Sequence, residues 1–221
     1  MPSPTLTDKV AKMICQDILQ GKLKPGQKLV VADLKETYGV GASPIREALV
    51  QLSWIKYVKL EPQKGCWVSP FCEHELRDLY ESLRVVSPVL LKKAIACSSE
   101  GWELDLLTAY HKLSRAKNIE IPDSWSEWEE RQQHFFTTLL AGAEAKNMYA
   151  FFSDLINQIK RYRYFALSQH QGNHHSLFDL EEHEMIMKFA LAKNTEEAVR
   201  LLDSHLNSSM KMVESAIHQA A

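Results

Sequence analysis

Residues 30–52 read VVADLKETYGVGASPIREALVQL, and this stretch decides the fold of the N-terminal part of the chain. Leu34 and Tyr38 share one face of a short helical pattern, which Gly39-Val40-Gly41 breaks. A second helical pattern follows. Ser43 is its expected cap and Pro44 its expected first residue, where a missing N–H is harmless. Ile45, Ala48, Leu49 and Leu52 recur at i, i+3, i+4 and i+7, so they are expected to face a core. Ser43, Arg46, Glu47 and Gln51 are left on the polar side. Two short helices across a glycine turn form either an ordinary helical hairpin or a helix-turn-helix. The second arrangement carries one helix into a DNA major groove.

The flanking sequence separates these readings. Upstream, Leu6–Leu19 places Val10, Met13, Ile14, Ile18 and Leu19 on one stripe of a helix that Thr7 is expected to cap. Gly21-Lys22-Leu23-Lys24-Pro25-Gly26 then turns the chain. Downstream, Tyr57–Leu60 and Cys66–Val68 read as short strands around Glu61-Pro62-Gln63-Lys64-Gly65, a hairpin with a Lys-Gly tip. Three helices followed by a basic hairpin form a winged helix-turn-helix, whose wing gives Lys64 reach to a phosphate or a minor groove. Charge agrees with this. Residues 1–70 hold 10 Lys+Arg against 6 Asp+Glu, a balance of +4, while the rest of the chain stands at −6. A basic unit joined to an acidic one suits a polyanion-binding module with a regulatory partner domain.

From Glu73 onward strand patterns disappear. Helical patterns follow at about residues 73–96, 102–115, 124–140, 147–169, 177–192 and 195–217, with Pro88 expected to kink the first. Expected breaks are Ser98-Ser99-Glu100-Gly101, Ile121-Pro122-Asp123, the run near Gly142, and Gln171-Gly172-Asn173. The fold class is therefore mainly α: a winged helix-turn-helix over 1–70, a linker over 71–77, and an all-α bundle of six or seven helices over 78–221. The 221 residues contain no repeat, no signal-peptide pattern near the start, and no long apolar run of membrane-spanning length. The four cysteines (Cys15, Cys66, Cys72, Cys97) have no metal-site spacing and read as reduced thiols of a cytoplasmic protein.

The run ILQGKLKPGQKLVVADLKETYGVGASPIREALVQL, followed by KLEPQKGCWV, resembles the DNA-binding domain of the GntR family of bacterial transcription regulators. The Gly-Lys-Leu-x-Pro-Gly segment, the Pro-Ile-Arg-Glu-Ala-Leu segment and the Lys-Gly wing tip match in order and spacing. The resemblance implies DNA contacts from Ala32, Ser43, Pro44, Arg46, Lys64 and Gly65. Gly41-Ala42 stand where relatives usually carry a Ser-Arg pair. The helical part resembles the effector domain of the FadR subfamily, including Leu79-Tyr80-Glu81-x-x-Arg84. This implies a homodimeric regulator, usually a repressor, on double-stranded operator DNA, with a small organic acid as effector.

Domains of that subfamily often hold a divalent metal such as Zn²⁺ through histidines spaced like His183 and His205, together with an Asp-x-x-x-His pair on an earlier helix. Here that pair aligns with Gln132 and Phe136; Phe cannot ligate and a neutral amide is a weak zinc ligand. Another register offers Glu130 and His134, but His134 lies about 200° around the helix from Phe136. Candidate effector residues are thus Arg84, Gln132, His183 and His205, with His183 and His205 as ligands should a metal bind. Arg84 sits in an apolar run, and its planar fork suits either a carboxylate ligand or an inter-helix salt bridge. In Arg161-Tyr162-Arg163-Tyr164 adjacent side chains point in different directions on a helix, so at most one Arg-Tyr pair can enter a pocket and the rest reads as a solvated helix face. No P-loop, dinucleotide fingerprint, nucleophile elbow or H-E-x-x-H motif appears. Two rival readings fit the sequence as well: an architectural DNA binder with a purely dimerising bundle, and a metal-dependent enzyme on a DNA-binding anchor.

Overall fold

The computed structural model describes residues 3–116, 124–169 and 180–220. The chain divides into two compact units. One comprises residues 1–72 with 160–165, and the other comprises 73–159 with 166–221. The expected breaks at Ile121-Pro122-Asp123 and Gln171-Gly172-Asn173 lie outside the described residues.

The N-terminal unit begins with α1 (Leu6–Leu19). Its cap is Thr5, not Thr7: Thr5 and Asp8 form a capping box, each side chain bonding the other residue's backbone N–H. Helix α2 (Val31–Tyr38) ends at Gly39, whose φ of 65° is left-handed, a conformation glycine adopts at no steric cost. Helix α3 (Ala42–Trp54) is capped by Gly41, so Ser43 is not the cap and Pro44 is the third helical residue. Pro44 is harmless there because the N–H groups of the whole first turn lack intrahelical partners. The expected core positions of α3 are buried: Ile45 and Ala48 at 0%, Leu49 and Leu52 at 3% exposure. In α1, Val10, Ile14 and Ile18 are buried, but Met13 is exposed.

Strands β1 (Val58–Glu61) and β2 (Gly65–Val68) pair antiparallel, with Val58 opposite Val68 and Glu61 opposite Gly65. The chain before α2 adds to the far side of β2: Leu29 N–H donates to the Cys66 carbonyl and Val68 N–H to that of Gln27. One hydrophobic cluster joins Val10, Ile14, Leu29, Leu34, Ile45, Leu49, Leu52, Tyr57 and Val68. Wing and helices therefore share a core, and truncating a Leu there to Ala costs about 2–5 kcal/mol.

The second unit is all helical: α4 (Glu73–Ala96), α5 (Glu100–Ser114), α6 (Ser124–Ala141), α7 (Lys146–Gln169), α8 (Leu180–Leu191) and α9 (Thr195–Ala220). Helix α4 starts inside the stretch expected as linker, and it runs through Pro88 as one element. It packs on α9, α5 packs on α6, and α8 packs on α9. Leu76, Tyr80, Leu83, Leu90 and Ala94 form the inner stripe of α4, and the Tyr80 and Ser209 hydroxyls meet at 2.7 Å across the α4–α9 contact. Helix α5 starts earlier than its pattern implied because Ser99 caps it by accepting from Trp102 N–H. Among the described residues no helix is long and apolar enough to cross a membrane.

Candidate functional site

The polar face of α3 is available to a partner. Ser43 and Arg46 are exposed, as are Ala32 at the start of α2 and Gly65 in the wing, while Pro44 is half-buried. The wing tip turns through Gln63 at φ 63° and Gly65 at φ 127°, and it leaves the Lys64 side chain 75% exposed. The Lys64 ammonium makes a loose contact of 3.6 Å to Glu61, weak enough to be given up for a phosphate. Glu47 is engaged elsewhere. Its carboxylate accepts from Thr7 Oγ1 at 2.8 Å and from Ser43 Oγ at 2.9 Å, tying α3 to the start of α1. Both hydroxyls expected to be helix caps thus donate to Glu47 instead, Thr7 across to α3 and Ser43 within it, and the acidic side chain beside Arg46 is held against α1.

The run Arg161–Tyr164 departs from expectation. One Arg-Tyr pair, Arg161 with Tyr162, turns inward as the helix allows, but Tyr164 is buried too, so the rest is not the solvated face expected. Arg161 Nη1 donates to the carbonyls of Ser69 and Pro70 at 2.9 and 3.0 Å, and Nη2 donates to the Tyr162 hydroxyl. Its guanidinium stacks 5.4 Å from the Phe71 ring and 4.4 Å from that of Tyr162. The physical reason is that the chain leaving β2 has carbonyls with no ladder partner, and a guanidinium fork satisfies two at once.

In the helical unit the sequence candidates come together around His183. This side chain is 1% exposed, and the Gln132 amide nitrogen lies 2.9 Å from its Nε2. With the amide donating, the imidazole proton resides on Nδ1. The rings of Trp128, Phe135 and Phe136 surround it at centroid distances of 6.0, 5.6 and 5.3 Å. His205, from α9, stands 4.9 Å from His183 and 4.8 Å from Phe136, centroid to centroid. Its Nδ1–H donates to Glu182 Oε2 at 2.7 Å. The 22-residue spacing of the histidines therefore does bring them into one interior. Glu182 was not foreseen. Its place beside His183 in sequence put it one residue off the inward face, and its partner lies on the next helix.

The remaining candidates go elsewhere. Arg84 binds Asp203 with both arms, Nε to Oδ1 at 2.7 Å and Nη2 to Oδ2 at 2.8 Å, which is the inter-helix salt bridge of the two readings left open. The Arg84 guanidinium holds the Asp203 carboxyl below its ordinary range. Glu130 and His134 are exposed, because α6 turns Gln132 and Phe136 inward. His134 lines instead an open cleft of about 710 Å³ with Trp102, Asp105, Lys112 and Tyr149.

The donors around His183 fit a divalent metal poorly. Zinc wants three or four N, O or S donors at about 2.0–2.3 Å. Here the His183 Nε2 lone pair faces an amide, Phe136 supplies no donor, and its ring packs on both imidazoles. Among the described residues no group of three or more His, Cys, Asp or Glu side chains is placed to hold a metal ion.

Comparison with known proteins agrees with both halves. Residues 6–68 match the bacterial regulatory proteins of the gntR family, and residues 78–208 match the FCD domain. The HTH-type transcriptional repressor GlaR of Escherichia coli (strain K12) is 30% identical over 203 residues, covering 91% of this chain and 92% of that one. The HTH-type transcriptional regulator BphR of Paraburkholderia xenovorans (strain LB400) is 28% identical over 214 residues, 95% of this chain and 85% of that one. Among solved structures, E. coli McbR/YncC superposes with a TM-score of 0.78 at 17% identity, covering 96% of this chain and 98% of the other, which speaks for the fold. The winged helix-turn-helix with its exposed basic side chains, the helical unit that follows it in sequence and these matches place the chain in the GntR family, as a DNA-binding transcription regulator with an FCD effector-binding domain.

Proposed function

We propose that this protein is a homodimeric repressor whose operator affinity is set by a small carboxylic acid bound in the helical unit beside His183 and His205. The observation that carries this is the polar cluster of buried Gln132, His183 and His205, joined by half-buried Glu182, beside the aromatic rings of Trp128, Phe135 and Phe136. A bundle built only to dimerise gains nothing from such a cluster, since burying polar groups costs free energy that apolar packing avoids. An effector site needs a few polar groups fixed in an apolar surround. Repression is supported by the description of GlaR as a repressor.

Ser43, Arg46, Ala32 and Pro44 present the face for one major groove, and Lys64 with Gly65 reaches the adjacent backbone. Two copies related by a two-fold axis then read a pseudo-palindromic operator. Val85 and Val89, 70% and 39% exposed and one turn apart on α4, give a second copy an apolar ridge to cover. The effector acts by linkage: it binds more tightly to the conformation with displaced wings and so lowers the population competent for DNA.

A thermal-shift panel of mono- and dicarboxylates checks the effector site, because a ligand that binds the folded state raises the melting temperature. At least one acid should stabilise the wild type and lose that effect in His183→Ala. No stabilisation by any acid would favour the architectural reading.

A further inference from the structure

We propose that the effector domain of this chain works without a resident divalent metal, Gln132 and Phe136 having taken over the space and the structural duty of the two missing ligands. The inference deepens the effector reading and rests on it only for where the acid binds. Three observations carry it. The Gln132 amide lies on His183 Nε2 at 2.9 Å, so the nitrogen a metal would need already has a hydrogen-bond donor. The Phe136 ring stands 5.3 Å from one imidazole and 4.8 Å from the other, apolar surface where a ligand atom is required. The rejected register cannot substitute, because Glu130 and His134 face outward on the same helix.

What a metal would do for the fold is done here by side chains. A structural cation fixes its histidines by direct bonds, whereas here Gln132 orients His183 and Glu182 orients His205 through Nδ1. Phe136 packs against both rings and keeps the pair in place. The consequence is chemical. A metal centre favours acids that chelate, through vicinal oxygens, whereas imidazole and amide N–H groups recognise a carboxylate by hydrogen bonds alone. Simple carboxylic acids with no chelating hydroxyl or second carboxylate then suffice, and the response to them needs no added metal.

The test uses the full-length protein, freed of metal with a chelator, and Zn²⁺ alone as the probe in isothermal titration calorimetry. The wild type should show no stoichiometric Zn²⁺ binding that His183→Ala removes. The double substitution Gln132→Asp with Phe136→His should gain one equivalent, and Co²⁺ added to it should give the visible absorption of a nitrogen- and oxygen-ligated ion. Should that double variant not fold, Phe136→His alone carries the same expectation of a gained site. One equivalent bound by the wild type and lost in His183→Ala overturns the proposal, as does a folded Gln132→Asp/Phe136→His protein that binds none. Zn²⁺ binding by the wild type that survives in His183→Ala lies elsewhere and leaves the proposal standing. Absence of any carboxylate response would instead count against the effector reading, whatever the metal result.

Discussion

Gln132 of α6 and His183 of α8 meet through their side-chain nitrogens at 2.9 Å, both almost wholly buried. Removing one partner of a buried hydrogen bond costs about 1–3 kcal/mol, because the other group loses water without compensation. Gln132→Leu should therefore lower the unfolding free energy by that amount, read from urea denaturation at unchanged m-value. A midpoint equal to wild type would show that the bond contributes nothing to stability.

The DNA face gives a second expectation. Arg46→Ala should weaken operator binding by roughly 1–3 kcal/mol if Arg46 reads a base edge, with relaxed specificity at one position. Lys64→Ala should instead weaken binding to all sequences alike and reduce the salt slope by about one, as for a phosphate contact. Gel-shift titrations at several fixed salt concentrations separate the two. Equal, sequence-independent losses for both would remove Arg46 from base readout.

Much of this was legible in the sequence, and the misses share a cause. The 3.6-residue period located Ile45, Ala48, Leu49 and Leu52 because it depends only on spacing within one helix. For α6 the period said only that Gln132 with Phe136 and Glu130 with His134 cannot share one face; it left the register open, and the structure buries the first pair and exposes the second. Caps were placed wrongly, Thr7 for Thr5 and Ser43 for Gly41, because each rival hydroxyl lies within two residues of the helix start. What engages Thr7 and Ser43 is Glu47, and for Thr7 that partner is 40 residues away. Asp203 is 119 residues from Arg84, and the Ser69 carbonyl 92 residues from Arg161. Charged side chains find their partners across the fold, and a one-dimensional pattern does not carry that pairing.

Gly142 has a packing role. A Cβ built there would stand 2.7 Å from Cδ1 and 2.9 Å from Nε1 of Trp102, whose indole N–H donates to the carbonyls of Thr138 and Leu139. Gly142→Ala must displace the indole or the end of α6, at about 1–3 kcal/mol for an overpacked site. The check is a thermal melt with Trp fluorescence. An unchanged melt would mean that Trp102 yields freely.

Acid stability should depend on the Arg84–Asp203 pair. Asp203 is held below its ordinary pKa, first by its hydrogen bond from Arg84. Its contribution is present above the unfolded-state value of about 3.9 and is lost as pH falls through the lower folded-state value. Both side chains are more than a third exposed, so solvent screening limits the pair to about 1 kcal/mol or less. Asp203→Asn should flatten the acid limb of the stability curve by that amount and leave Arg84 without its fork partner. An unaltered acid limb would show that the pair carries no pH dependence.

Thiol reactivity offers a readout of the N-terminal core. Burial pushes the Cys15 and Cys66 thiols up to about 11, while Cys72 and Cys97 are exposed. Because the thiolate is the reactive form, Ellman's reagent at pH 8 should label two thiols rapidly and the other two only on unfolding. Four fast thiols would contradict the packing of α1 and β2.

The effector-linked repressor reading stands or falls on one titration. Fluorescence anisotropy of a labelled operator, selected from a random DNA pool with the full-length protein, is followed while a stabilising carboxylic acid is added without metal. Operator release by the wild type, and none by His183→Ala at the same acid concentration, is the predicted result. Release that is identical in both proteins, or tight binding unaffected by every acid that stabilises the fold, would contradict it.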